Sequence, residues 1–238
     1  MADNPYLVNR RWLVADEVGE EVRRRYGAQV LAIGVHGSLA HGDDSETSGV
    51  DLLVLVGRSG AGPEPSGRRV DGVIVQLDAI GVEDYLRTAR TLTAAWPLVA
   101  DRFVTTKPLF DPVGWFERVR DEHLARLAEA GGGEFAALAR EAWCRGAQAH
   151  ARATRLAGWH ETDAALVAMG ECRVAAAVVK GLLTRTYFRN SVDAVRRTGI
   201  AGADMTEVGT ILAGQADELA RRGCPVDAEA TELFPTTA

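Results

Sequence analysis

Two periodicities divide this chain. Up to about Asp111, short apolar runs alternate with helical segments, and beyond it nearly every apolar residue recurs at helical spacing. Leu13, Val14, Val18 and Val22 lie on one helical stripe, so Arg11–Tyr26 reads as a helix stopped by Gly27. Val30–His36 (VLAIGVH) and Val50–Val56 (VDLLVLV) are short continuous apolar runs with β-branched residues, the signature of buried strands. Gly37–Gly49 between them reads as a polar loop. Gly57–Gly67 reads as a Gly/Pro turn region, followed by a third strand at Val70–Leu77. Glu83–Ala95 returns to helical spacing, and Arg102–Phe110 reads as extended. The second half predicts helices over Gly114–Ala130, Glu134–Gly158, Thr162–Tyr187, Ser191–Thr198 and Met205–Arg222, rich in alanine, the best helix former. The pattern therefore predicts an α/β (α+β) chain: a small sheet with flanking helices over 1–111, then a helical bundle over 112–238. The tail from Pro225 to Ala238 has little pattern.

Composition narrows the function classes. The 238 residues are 47% hydrophobic and 25% charged, enough for a real core without disulfides or structural metals. A formal net charge of −6 argues against a general nucleic-acid-binding surface. No apolar run approaches a membrane span of about 20 residues, and Met1–Val14 is too charged for a secretory signal. Cys144, Cys172 and Cys224 are widely spaced and odd in number, which predicts free thiols and a reducing, cytoplasmic setting.

The segment with chemical content is Gly34–Val56, GVHGSLAHGDDSETSGVDLLVLV. A strand runs into Gly37-Ser38, a polar loop follows, and Asp51 stands at the start of the next strand. Such an arrangement suits nucleotidyl transfer. Gly37 lets the backbone pass close to a triphosphate, and Ser38 offers a hydroxyl and an N–H to a phosphate oxygen. A carboxylate at the start of the following strand holds Mg²⁺ against the same phosphates. Gly-Ser alone is common, whereas Gly-Ser followed thirteen residues after the serine by a strand-start carboxylate is far more specific.

On these residues the chain resembles the nucleotidyltransferase superfamily, and within it the kanamycin nucleotidyltransferase (aminoglycoside 4′-adenylyltransferase) family. The resemblance runs from about Tyr26 to beyond Gly158, strongest at Tyr26-Gly27, Ala32–Leu39, Trp96-Pro97-Leu98 and Lys107–Asp111. It implies a small mixed sheet of nucleotidyltransferase type followed by a helical domain, an NTP and Mg²⁺ as cofactors, a small-molecule acceptor, and a homodimer with active sites at the subunit interface.

The departures from that pattern are specific. The superfamily places two carboxylates one residue apart at the start of the second strand; here the positions read Gly49-Val50-Asp51, leaving Asp51 alone. A third carboxylate on the next strand falls at Ile74, with Asp71 or Asp78 as possible replacements. The family's general base, a glutamate on the first long C-terminal helix, falls at Arg145, and a phosphate-contacting lysine one turn later falls at Ala149. An arginine three residues after the motif serine is replaced by His41. One carboxylate holds Mg²⁺ weakly, and a guanidinium stays protonated and cannot act as a base. Mg²⁺ and NTP binding are therefore expected to be weak or absent.

The candidate catalytic residues are Asp51, His36, His41, Glu141 and Arg145, with Asp51 the metal candidate, Gly37 and Ser38 the phosphate cradle, and Arg102 and Lys107 substrate contacts. Each has a plainer reading. His36 can simply end a strand and His41 sit in a loop; Asp43, Asp44 and Glu46 can be solvated loop charges; Glu141 and Arg145 can be an i,i+4 surface pair; His150 and the tryptophans can be packing. Three functions remain open at this stage: a working nucleotidyltransferase acting on an aminoglycoside-like hydroxyl, a fold repurposed for metal-independent acid/base chemistry on a small molecule, or a non-catalytic binder of nucleotide or another small ligand.

Overall fold

The computed structural model describes residues 9–230, and the end of the patternless tail, 231–238, lies outside them. Helix α1 (Arg10–Tyr26) begins at Asn9, whose side-chain oxygen accepts the Arg11 N–H at 3.0 Å. Strand β1 (Val30–His36) follows, then a short helix α2 (Gly37–His41), strand β2 (Val50–Val56), and an antiparallel hairpin of β3 (Ser66–Val70) and β4 (Val73–Gly81). Helices α3 (Val82–Arg90), α4 (Trp96–Val99) and α5 (Asp101–Thr105) lead to β5 (Lys107–Phe110). The remainder is helical: α6 (Trp115–Glu129), α7 (Gly132–Gly158), α8 (Thr162–Thr184), α9 (Ser191–Arg197) and α10 (Met205–Arg221). The five strands form one mixed sheet in the order β3-β4-β2-β1-β5, with β2 and β4 parallel and the other pairs antiparallel.

Both apolar runs form strands with the bounds their pattern predicts. The third strand does not. Where one strand over Val70–Leu77 was expected, the chain turns at Asp71-Gly72, both at positive φ (49° and 80°), and makes a hairpin. Asp-Gly is the turn pair such a two-residue loop demands. Strand β3 reads SGRRV and carries two arginines on the outer edge of the sheet, so hydrophobicity does not reveal it. The expected extended stretch Arg102–Phe110 is half helix: α5 ends at Thr105 and only Lys107–Phe110 pairs with β1. The helix expected over Glu83–Ala95 stops at Arg90, and Thr91 is extended (φ −99°, ψ 117°).

The described residues form two compact units, one from residues 9–91 with Asp101–Ala128 and the other from Leu92–Ala100 with residues 129–230. Helix α6 thus belongs with the sheet, and a single cut at Asp111 does not describe the division. The reason is packing: α6 buries Phe116, Val119 and His123. Phe116 fills the space beside Gly34, where a Cβ would lie 2.8 Å from its ring. His123 packs against Phe103, ring centroids 4.9 Å apart and tilted by 44°, and donates from Nδ1 to the Ala89 carbonyl at 2.7 Å.

Within the sheet unit, α1 covers one face, with Val14, Ala15 and Val22 against Ile33, Val35, Val50, Leu52 and Val54. Because side chains alternate along a strand, His36 and Asp51 fall on the opposite face. In the helical unit, α7 and α8 pack through alanines (Ala149, Ala153, Ala168, Ala176), which let the helices approach closely. Trp143 donates to the Leu212 carbonyl at 2.8 Å, and Gln215 to that of Ala176 at 2.8 Å, fastening α10 to this pair. Among the described residues, no helix is long and apolar enough to cross a membrane.

Candidate functional site

The site lies where β1 and β2 end side by side. His36 and Asp51 are direct partners in the antiparallel register, so their side chains share one face. The chain then turns through Gly37 at φ 72° into α2, replacing the start of the expected loop. Gly37 is there for two reasons: the conformation is left-handed, and a Cβ would sit 2.5 Å from Asp51 Oδ2. The backbone of the Gly-Ser turn therefore passes directly over the Asp51 carboxylate. The rest of the loop is pinned by α1. Arg11 pairs with Asp44 at 3.2 Å and donates to the Ser48 carbonyl at 3.0 Å, while Asn9 donates to Asp44 at 2.9 Å. Asp44 is thereby a structural residue and not a solvated charge.

On the other side of β2, the parallel register sets Asp51 opposite Gln76 and Leu53 opposite Asp78. Gly49, Asp51 and Leu53 thus share a face with Ile74, Gln76 and Asp78, by alternation. The position expected for a third carboxylate is held by Ile74, half exposed and aliphatic. Asp71 is in the hairpin turn, and Asp78 lies on the right face but beside Leu53. A Cβ on Gly49 would meet the Ile74 carbonyl oxygen at 2.8 Å, so any side chain at this position would have to displace β4. Among the described residues, no group of three His, Cys, Asp or Glu side chains is placed to hold a metal ion. The donor set around Asp51 does not fit Mg²⁺, which needs a near-octahedral oxygen shell.

The structure adds a pair that sequence reasoning had only half assembled. His41, at the end of α2, donates from Nε2 to both carboxylate oxygens of Asp101, at 3.0 and 3.1 Å. Asp101 is buried at the start of α5 and also accepts from the Thr105 hydroxyl at 3.2 Å. The Nε2 contact leaves His41 Nδ1 as the ring's other nitrogen for a second partner. Asp101 was not among the expected site residues, because the sequence places it just before a stretch read as extended and its partner His41 lies sixty residues away.

Arg102, the next residue, lies over the rings of Phe103 and Tyr85 at 5.3 and 5.8 Å, and its Nε is buried without a hydrogen-bond partner. It belongs to the surroundings of His36. Burial holds the His36 pKa below the ordinary histidine value; Asp51 opposes that shift, Arg102 reinforces it, and Asp78 and Asp101 oppose it more weakly. Lys107 pairs with Val35 in the sheet, and its side chain is exposed. Glu141 and Arg145 belong to the helical unit and form an exposed i,i+4 ion pair on α7. His150 donates to the Met205 carbonyl at 2.8 Å, a packing contact.

The depressed His36 has a consequence for stability. Unfolding returns its ring to a pKa of about 6.5, so below that value the unfolded chain takes up a proton that the folded chain resists. Stability should fall as pH drops through the unfolded value toward the folded one. His123 acts in the same sense, its pKa lowered by burial and only partly restored by the Ala89 carbonyl. Urea unfolding at about pH 7.5 and about pH 5 checks this, with His36→Asn expected to lose less stability on acidification than the parent. An equal loss in both would remove His36 from the account.

The described residues thus place a Gly-Ser turn over a strand-start carboxylate on a mixed sheet, followed by a helical region. The chain is distantly similar to the aminoglycoside nucleotidyltransferase (4′) of Staphylococcus aureus and to that of a Bacillus species, 28% identical to each over 120 residues. The match covers 49% of this chain and 47% of each relative, so it spans about half the length of either protein. No family model matches the chain. Among solved structures, a nucleotidyltransferase-like protein from Exiguobacterium sibiricum 255-15 superposes with a TM-score of 0.45 and 11% identity, over 87% of this chain and 75% of that one.

Proposed function

We propose that this nucleotidyltransferase-like protein binds a small polar molecule at the Gly37–Ser38–Asp51 end of its sheet and does not carry out fast Mg²⁺-dependent nucleotidyl transfer. The observation that supports this reading most is the face shared by Gly49, Asp51 and Ile74, where one carboxylate stands in place of three. The phosphate-cradling half of the motif remains: Gly37 keeps its backbone open to an approaching anion, and Ser38 offers a hydroxyl. The metal-holding half does not. Mg²⁺, when bound in such sites, neutralises the charge of the leaving pyrophosphate, a contribution of several kcal/mol. Among the described residues, no group of three His, Cys, Asp or Glu side chains is placed to hold it.

A second reading has its own support in the His41–Asp101 pair. A carboxylate that orients an imidazole through one nitrogen leaves the other to take or give a proton, and His36 lies at the same end of the sheet with its pKa held below the ordinary value by burial. Metal-independent proton transfer on a small substrate is the chemistry such groups support.

Pyrophosphate release from ATP, with and without Mg²⁺ and with aminoglycoside acceptors, separates the readings. Mg²⁺ and acceptor together are expected to raise release by no more than about twofold, because a lost general base alone typically costs about 10²–10⁴-fold. Mg²⁺-dependent turnover at an ordinary enzymatic rate of about 1 s⁻¹ or more would sink the proposal and restore the simple transferase.

A further inference from the structure

Arg102 is a guanidinium without a carboxylate. It stands in the first turn of α5, half-buried, with its Cζ over the rings of Phe103 and Tyr85 at 5.3 and 5.8 Å. Both rings belong to buried residues, and they meet each other at 5.3 Å. The Arg102 carbonyl accepts from the Thr106 hydroxyl at 2.5 Å, so the main chain is held as well. Stacking occupies the face of a guanidinium and leaves its edge, where the N–H donors lie, for hydrogen bonds. Yet the buried Nε has no partner, and among the described residues no carboxylate pairs with Arg102. Arg11 and Arg90, by contrast, meet Asp44 and Glu122.

Carboxylates are not lacking nearby. Asp51, Asp78 and Asp101 all act on His36, as Arg102 does. Asp101 is engaged: both its oxygens accept from His41 Nε2, at 3.0 and 3.1 Å. Asp51 lies under the Gly37 turn, and Asp78 is aligned with Leu53, further along the strands. A guanidinium drawn out of water ordinarily has an anionic partner, so a fixed one without it is a place for an anion from outside. The open sheet face has the same sign at its edge. Arg69 is the cross-strand partner of Ile74, which puts it on the face of Asp51 and Gln76, and it is exposed.

We propose that the small molecule taken at this end of the sheet is a hydroxylated acid, its phosphate or carboxylate held by Arg102 and a hydroxyl donated to Asp51. This rests on the reading that the Gly37–Ser38–Asp51 end binds a small polar molecule, and it names the class of that molecule. An ionised carboxylate only accepts hydrogen bonds and a guanidinium only donates them. A ligand that carries both an acid and a hydroxyl answers both residues. An amino sugar answers Asp51 alone and sets its ammonium against Arg102.

The test titrates the full chain calorimetrically, without Mg²⁺, with glucose 6-phosphate, glucuronate and glucosamine, which share a polyol ring and differ in charge. At least one acid should bind, and glucosamine at least about tenfold more weakly. Arg102→Gln should weaken the acid about tenfold and leave glucosamine unchanged or tighter, a selectivity that mere loosening of the fold does not produce. Arg102→Lys keeps the charge and an aliphatic stem over the rings but loses the fork. It should fold even where the glutamine variant does not, and weaken the acid about threefold. A tighter glucose 6-phosphate assigns a phosphate and a tighter glucuronate a carboxylate; either upholds the acidic class. Glucosamine binding as tight as the acids overturns the proposal, as does acid binding that is absent or unchanged in both Arg102 variants. Gly37→Ala keeps two failures apart. Acid binding that needs Arg102 but survives Gly37→Ala upholds the acid and removes the Gly-Ser turn from the site. Binding lost in Gly37→Ala but indifferent to Arg102 keeps the turn and sinks the acid.

Discussion

Alanine at Gly37 is expected to destabilise the protein by about 2–4 kcal/mol, whereas alanine at Gly42 should cost only about 1–2 kcal/mol. Both glycines are left-handed, at φ 72° and 74°, so both substitutions carry the strain of an L-residue in that region. They differ in what the new methyl meets. At Gly42 there is nothing within 4 Å; at Gly37 the Asp51 carboxylate oxygen is 2.5 Å away. The carboxylate would have to leave its place, so Gly37→Ala should also abolish nucleotide or phosphate binding at this end of the sheet. Urea denaturation of the two variants, with phosphate-ligand titration of each, makes the comparison. Equal losses of stability would mean that Gly37 is required only for its backbone angle and that the turn does not rest on Asp51.

Rebuilding the missing carboxylates should require two substitutions. Gly49→Asp alone is expected to destabilise by about 1–3 kcal/mol, because its Cβ would press on the Ile74 carbonyl oxygen at 2.8 Å and β4 must shift to admit it. It should gain little affinity for Mg²⁺. Ile74→Glu, at a half-exposed site on the same face, should be nearly neutral for folding. The double variant places carboxylates at 49, 51 and 74 on one sheet face and should bind Mg²⁺ at least about tenfold tighter than the parent by calorimetry. Micromolar Mg²⁺ binding by the parent would show that other groups already complete a shell around Asp51. A double variant no better than the parent would show that the three positions do not converge. Fast transfer is not expected even then, since Arg145 occupies the position where the resemblance implies a general base.

The elements most legible in the sequence are those whose burial is continuous. Val30–His36 and Val50–Val56 are apolar at nearly every position because both faces of the central strands are covered, and their bounds follow from composition alone. The Gly-Ser turn and Asp51 are legible for a different reason: a chemical motif sits at a strand boundary that hydrophobicity had already located. Strand β3 was not legible, since an edge strand with one exposed face and two arginines has no apolar run to report it. The hairpin was hidden by its own continuity, Val70 and Val73–Leu77 reading as one strand despite the Asp-Gly pair between them.

Glu141 and Arg145 illustrate a reading that local spacing supplies correctly but incompletely. The i,i+4 relation predicts that they meet, and they do, yet spacing says nothing of a cavity that Arg145 also lines with residues of α8. The same holds for the His41–Asp101 pair. Sixty residues separate its members, and nothing in the pattern around Asp101 marks it as the partner of a loop histidine.

By itself, the sequence determined the class of architecture, the two central strands, the helical second half and the presence of glycine at 49 and isoleucine at 74. These are properties of residue identity and of periodicity, which depend on near neighbours in the chain. The tertiary structure decided the rest. It assigned α6 to the sheet unit through Phe116 and His123, joined Asp101 to His41, and seated Gly37 on the Asp51 carboxylate. It also brought α7 and α8 together to enclose a cavity faced by arginines. Each of these is a contact between segments far apart in sequence, set by how packed surfaces meet, and no local pattern encodes which distant face a given side chain will find.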